Sequence, residues 1–300
     1  MPTTPPPNSL SSKVALVTGG SHGIGAATAT RLNAAGAIVI IVDLEATAHS
    51  AHELITSLPC PRRACFVAAD ITNWAELRSV FESIQQRYQR LDFVVANAGT
   101  MEHEPILQDS YDADGNLEAP REAYRTIDVN LKGSLNTLKL AIHHLKSAPP
   151  DSPRSIVLVA STAGYFDGAG TLAYTASKHG VVGLLRASQT EAQKHGIRVN
   201  AVAPIFITTH LTSGISDAWL RAGLEVNTPE AVAEAIEAAL LSTESGHGFL
   251  ISGKYIREME GTRMGLLSSW VGHDVAEHMG KAGEFFNNLG GYILPGPRNN

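Results

Sequence analysis

The chain has 300 residues, 44% of them hydrophobic and only 17% charged, with 23 basic and 29 acidic side chains and a net charge of −6. That length suits one large α/β domain with a sizeable core. The acidic balance lacks the basic stripe a phosphate backbone requires, which argues against nucleic acid as a partner, and the sparse charge points to surface hidden in a homodimer or homotetramer.

Residues 1–12 are rich in Pro and Thr and read as a disordered arm, without the apolar stretch of a signal peptide. Lys13–Thr18 (KVALVT) then has the composition of a strand buried on both faces. A helical stretch runs from about Ile24 to Ala35 and stops at Gly36. Ala37–Val42 (AIVIIV) is the next strand; it is also the longest plain apolar run, far too short to span a membrane. A helix over 45–57 follows, then a strand at Arg63–Ala69. The only cysteines are Cys60, between them, and Cys65, within the strand; they are near enough to pair, but free thiols in a reducing compartment are the simpler reading. The expectation is a cytoplasmic protein with no membrane partner.

Trp74, Leu77, Val80, Phe81, Ile84 and Tyr88 recur at helical spacing within 73–89, and Leu91–Ala96 (LDFVVA) is a fourth strand. Residues 101–119 are acidic and without period, and read as a loop inserted over one end of the sheet. A helix over 120–146, a strand at Ser155–Ala160, a long helix over 172–194 and a strand at Ile197–Val202 follow. Short helices near 211–223 and 229–241 and a last strand at Phe249–Ile251 complete the alternation; in the tail, Leu266, Leu267, Trp270 and Val271 are placed to pack on a neighbouring subunit. Strands alternating with helices over this length predict a single-domain α/β fold of Rossmann type, a doubly wound parallel sheet with helices on both faces. The division is a 1–12 arm, a 13–252 catalytic domain that binds NAD, and a 253–300 extension serving substrate loops or oligomer contacts.

The first strand runs into Thr18-Gly19-Gly20-Ser21-His22-Gly23-Ile24-Gly25 and then a helix. Glycines there permit a tight turn, close approach of backbone to a pyrophosphate and close helix–strand packing, and the helix N-terminus offers N–H groups to the anion. An ordinary tight turn has the same composition, so context decides: strand before, helix after, and Asp43 at the end of the second strand. A carboxylate at that position accepts hydrogen bonds from ribose hydroxyls and repels a 2′-phosphate, which predicts NAD over NADP; the plainer alternative is an Asp capping the next helix.

Tyr174 and Lys178 are four residues apart and share one helix face. A free Tyr has a pKa of about 10 and is a poor base at neutral pH, but a nearby ammonium favours the phenolate. Tyr174 then becomes an acid/base for a carbinol, and Ser161, thirteen residues earlier at a strand end, can hydrogen-bond the same oxygen. A Tyr/Lys pair alone is a common helix-surface spacing. No metal site is expected: His49 and His52 share a helical face without a carboxylate or Cys partner placed beside them. With no G-x-S-x-G there is also no nucleophile elbow.

Together with Asn97-Ala98-Gly99, Asn130 in V-N-L and Y-T-A-S-K at 174–178, these motifs make the sequence resemble a classical short-chain dehydrogenase/reductase over roughly residues 12–252. The resemblance implies that Gly19, Ser21, Gly23, Ile24 and Gly25 hold the dinucleotide with Asp43. It implies that Asp70 binds the adenine beside Ile71, and that Asn97 and Gly99 close the cleft. Asn130 would hold a water that relays protons through Lys178, which also binds the nicotinamide ribose; alone, Asn97 and Asn130 read as turn or cap residues. Tyr174 would be the acid/base and Ser161 the substrate-orienting group. Ile207 and Thr209 match positions that contact the carboxamide, but Ile205 stands where the family has Gly, so the turn there must avoid positive φ.

The 101–119 insertion and the long tail look more like the hydroxyprostaglandin-dehydrogenase-like branch, especially fungal members acting on polyketide-type secondary alcohols. The expected function is NAD-dependent interconversion of a secondary alcohol and a ketone on an apolar small molecule of secondary metabolism. Two alternatives are a redox-neutral dehydratase, epimerase or cyclase on the same fold, and an NAD(H)-binding sensor without turnover.

Overall fold

In β1 (Val14–Thr18) every residue is buried because both faces meet apolar layers, Val14 and Leu16 on one side, Ala15 and Val17 on the other. The structure is a computed structural model and describes residues 9–166, 170–209 and 212–296. The remaining strands are β2 (Ile38–Asp43), β3 (Ala64–Ala68), β4 (Phe93–Ala96), β5 (Ser155–Val159), β6 (Arg198–Pro204), β7 (Gly248–Ser252) and β8 (Tyr255–Glu258). They form one sheet in the order β3-β2-β1-β4-β5-β6-β7-β8, parallel from β3 through β7.

Helices cover both faces. On one, α1 (Gly23–Ala34), α2 (Ala48–Ser57) and α8 (Pro229–Leu241) bury Ala29, Leu32, Ala51, Val232 and Ile236. On the other, α3 (Trp74–Tyr88), α5 (Ser134–Leu145) and α6 (Leu172–Gln193) bury Leu77, Phe81, Leu138, Val181 and Leu185. α4 (Arg121–Ile127) leads into α5, and α7 (Ser216–Arg221) precedes α8. This is the doubly wound Rossmann-type fold that the strand–helix alternation predicts. Its strand order reverses between β1 and β4, which opens a crevice at their carboxyl ends.

Several boundaries differ from the expectation. Residues 1–8 of the expected arm lie outside the described residues, but order begins before residue 13: Leu10 is buried and its N–H donates to the carbonyl of Ala35 at 2.8 Å. The helix expected over 120–146 is interrupted by a π-helical turn at Asp128–Gly133, and the one near 211–223 is confined to α7. β8 was not expected; it follows a two-residue turn at Gly253, whose φ of +55° suits glycine.

From Glu258 onward the chain forms a second unit, with α9 (Glu260–Gly265), α10 (Leu267–Val271) and α11 (His273–Asn288). Leu266, Trp270, Met279 and Phe285 of this unit are exposed.

Candidate active site

The crevice is built from two turns that grip each other. Thr18 Oγ1, at the end of β1, accepts the N–H groups of Asn97 at 3.0 Å and Ala98 at 3.2 Å, just past β4. In return Asn97 Nδ2 donates to the carbonyls of Thr18 and Gly19, both at 3.0 Å. Gly19 has a φ of +61°, and a Cβ on it would lie 2.7 Å from the Cα of Ala98. A Cβ on Gly25 would lie 2.1 Å from the Gly19 carbonyl oxygen, so glycine at both positions lets α1 close on the turn. The N-cap of α1 is His22, which supplies no side-chain cap. That leaves the helix end facing the crevice to an outside anion.

Asp43 stands at the rim. Its Oδ2 accepts the Ser21 N–H at 3.1 Å and its Oδ1 the Leu44 N–H at 2.9 Å. Each carboxylate oxygen keeps a second lone pair for a ribose hydroxyl. The expected helix-capping alternative for Asp43 is not what the structure shows, because neither oxygen bonds a first-turn N–H of α2. Asp70 Oδ1 accepts the Thr72 N–H at 2.8 Å, while Ile71 is buried against Gly133, where a Cβ would come within 2.4 Å of its Cδ1.

The other end of the crevice carries the polar cluster. Ser161 follows β5 and accepts the Ala163 N–H at 3.2 Å; it also shares a side-chain hydrogen bond with Tyr174. Lys178 is buried, and its Nζ donates to the Val159 carbonyl at 2.9 Å and lies 5.6 Å from the centre of the Tyr174 ring. Asn130 sits inside the π turn, fully buried. Its Oδ1 accepts the Thr100 N–H at 2.8 Å and its Nδ2 donates to the Thr100 carbonyl and to Ser177 Oγ, both at 2.9 Å. A Cβ on Gly99 would come 3.2 Å from Asn130 Oδ1 and 3.6 Å from Lys178 Nζ, so glycine keeps this floor clear of a tight contact with Asn130.

Burial acts on both ionisable groups here. It raises the Tyr174 phenol, against the lowering effect of the Ser161 hydrogen bond and with a smaller push from Glu102. It lowers the Lys178 ammonium to about 8.

One continuous cleft of about 1060 Å³ joins the two ends. Gly19, Gly23, Ile24, Asp43, Asp70, Ile71, Asn97, Gly99, Tyr174, Lys178, Ile207 and Thr209 line it. Ser21, Gly25, Asn130 and Ser161 are not on the lining. Tyr165, Phe166, Phe206 and Trp219 are also absent from the lining, whereas Tyr124 is on it; Phe206 is buried and stacks on Trp219 at 4.5 Å. Ile205 does line the cleft and keeps a negative φ, as a β-branched residue requires.

Two residues of the site are not legible in the sequence. Thr18 reads there only as part of a motif, although its hydroxyl joins the turns. Glu102 reads as part of an acidic loop, yet it reaches the start of α6, where its Oε1 and Oε2 accept the N–H groups of Ala173 and Tyr174, each at 3.0 Å. No spacing rule links a loop acid to a helix seventy residues on.

Among the described residues no group of three or more His, Cys, Asp or Glu is placed to hold a metal ion, and no helix is long and apolar enough to cross a membrane. The glycine turn, the uncapped helix end and the rim carboxylate fit a dinucleotide's phosphates and ribose.

The chain belongs to the short-chain dehydrogenase/reductase family of oxidoreductases, since it matches the short chain dehydrogenase family over residues 13–219. It is similar to the short-chain dehydrogenase/reductase prx4 of Penicillium rubens, 31% identical over 88% of this chain and 81% of that one. The prx4 of Penicillium roqueforti is 34% identical over 76% of this chain, which spans 64% of that protein's length. A 5′-hydroxyaverantin dehydrogenase of Dothistroma septosporum is 32% identical over 73% of this chain and 74% of its own. Among solved structures, the crystal structure of gox2181 matches with a TM-score of 0.67 and 30% identity over 82% of this chain and 95% of that one.

Proposed function

We propose that this chain interconverts a secondary alcohol and a ketone with NAD. The observation that carries the reading is the placement of Tyr174 and Lys178 at one end of a single cleft whose other end is closed by the glycine turn and Asp43. When bound, the nicotinamide supplies or accepts the hydride at the carbinol carbon.

Tyr174 handles the proton: its hydroxyl donates to the carbonyl oxygen in reduction and its phenolate takes the carbinol proton in oxidation. Ser161, already hydrogen-bonded to Tyr174, orients the same oxygen. Lys178, an ammonium at neutral pH, favours the phenolate and is the group through which Tyr174 is recharged, from a water held at Asn130. Asn130 also fixes the Gly99–Thr100 floor by its paired bonds to Thr100. Asp43, with no basic side chain beside it in sequence, favours NAD over NADP.

Met101, Pro204, Ile205 and Ile207 give the cleft apolar lining, which suits an apolar or polyketide-like alcohol. The similar 5′-hydroxyaverantin dehydrogenase supports that class. We further read the chain as a homodimer or homotetramer acting in the cytoplasm.

The test is turnover of a panel of apolar secondary alcohols with NAD, followed at the NADH absorbance band. Tyr174→Phe is expected to lose at least about 100-fold in kcat while still binding NAD. Turnover retained in that variant sinks the mechanism. Product formed with no net change in NADH would favour a redox-neutral dehydratase, epimerase or cyclase instead.

A further inference from the structure

Helix α6 has no side-chain cap from its own N-cap residue, Thr171. Its first N–H groups are instead taken by Glu102, whose two oxygens accept from Ala173 and Tyr174 at 3.0 Å each. A charge-assisted, two-pronged cap of this kind is stronger than a hydroxyl cap and offsets the positive end of the helix dipole. Glu102 comes from the loop that follows β4, three residues past Gly99, and so ties the cleft floor to the helix carrying the acid/base.

We propose that Glu102 is a positioning residue for Tyr174: clamped on the backbone at positions 173 and 174, its carboxylate fixes where the Tyr174 ring stands and sets a negative charge at the turn of α6 that bears the phenol. The inference rests on Tyr174 being the acid/base.

The groups around the phenol make the effect directional. Glu102 reaches the start of α6 from the loop, Lys178 lies one turn further along α6, and α4, which packs against α6, brings Arg121, Arg125 and its C-cap Asp128 to the same cleft. The turn after β5 contributes the neutral Ser161, and the π turn contributes the neutral Asn130 behind Thr100. His103 and Glu104, the next titratable groups along the loop, are exposed. Glu102 therefore opposes Lys178: the lysine favours phenolate, the glutamate keeps the proton on. Burial and the Glu102 charge act on Tyr174 in the same upward direction.

The experiment uses the full chain and compares Glu102→Gln, which loses the charge and one acceptor, with Glu102→Asp, which keeps the charge one methylene short. The acid limb of kcat/KM for alcohol oxidation with NAD is read first. Amide hydrogen exchange over residues 170–180 is read second and needs no turnover. In Glu102→Gln the limb is expected to move to lower pH, kcat to fall about tenfold as the ring is misplaced, and exchange at the start of α6 to accelerate. In Glu102→Asp the limb is expected to stay at the wild-type position, with kcat partly restored. An unmoved limb or unchanged exchange in Glu102→Gln overturns the proposal, as does an equal displacement in both variants; a cap that only stabilised the helix would change exchange and leave the limb in place. If Glu102→Gln does not fold, a displaced limb in Glu102→Asp overturns it. If the wild-type chain oxidises no alcohol, the proposed reaction fails by itself, and wild-type exchange rates in Glu102→Gln then overturn the cap independently.

Discussion

The ammonium of Lys178 donates to the backbone carbonyl of Val159 at 2.9 Å, so the last residue of β5 holds a cation beside the Tyr174 ring. The bond fixes the lysine but does not compensate fully for its burial, which brings its pKa from 10.5 to about 8. Stability from this group is greatest above pH 10.5, declines as pH falls toward 8, and is level below that, where folded and unfolded chains both carry the charge. The gap corresponds to about 3 kcal/mol at neutral pH. Lys178→Met is therefore expected to abolish turnover and yet to melt a few degrees above the wild type at pH 7. The advantage shrinks as the melt is repeated toward pH 10.5. A lower melting temperature at pH 7 would contradict this.

Asp43 carries a second expectation. Removing its carboxylate in Asp43→Ala takes away the repulsion of a 2′-phosphate and the partner of the Ser21 N–H. The ratio of kcat/KM for NADP to that for NAD is expected to rise at least about tenfold, mostly by loss with NAD, with a stability cost of about 1 kcal/mol. Cofactor titration by protein fluorescence checks the preference without turnover. An unchanged ratio would show that other groups set it.

Thr18→Val removes a hydroxyl that accepts two partly buried N–H groups and replaces it with a methyl group of similar size. Leaving those donors unmet is expected to cost about 2 kcal/mol and to weaken NAD binding several-fold, whereas Thr18→Ser keeps both. Denaturant unfolding of the two variants separates the hydroxyl's contribution from that of the methyl group.

Ile205→Gly restores the residue usual in the family at a position whose φ does not need it. The Ile205 N–H donates to the Ile251 carbonyl at 2.9 Å, and that bond is unaffected by the change. The expected cost is about 1 kcal/mol, with the clearer effect on KM for bulky alcohols, since the lost side chain lines the cleft. Equal KM values across a size-graded alcohol series would remove Ile205 from the pocket.

The sheet was legible because its strands are short runs of apolar residues between glycines, polar turns and amphipathic helices; KVALVT and AIVIIV are buried on both faces and have no other use. The glycine turn, Asp43, Ser161, Tyr174 and Lys178 were legible because each lies at a strand end or on one helix face, where local spacing fixes its place. The π turn was not, because an added backbone residue leaves the composition of 120–146 helical. Leu10 was not, because one apolar residue in a Pro-rich segment carries no period. Glu102 and the Thr18 hydroxyl escaped for a shared reason: their partners are distant in sequence and are chosen by tertiary packing.

The mutual grip of Thr18 and Asn97 has a mechanical consequence. Strands β1 and β4 cannot splay at the crevice without breaking four hydrogen bonds at once, so access for cofactor and product falls to the segments above it. Those segments are the loop after β4, which carries Met101, and the start of the stretch after β6, which carries Ile205 and Ile207; both line the cleft above a base that acts as a fixed vice.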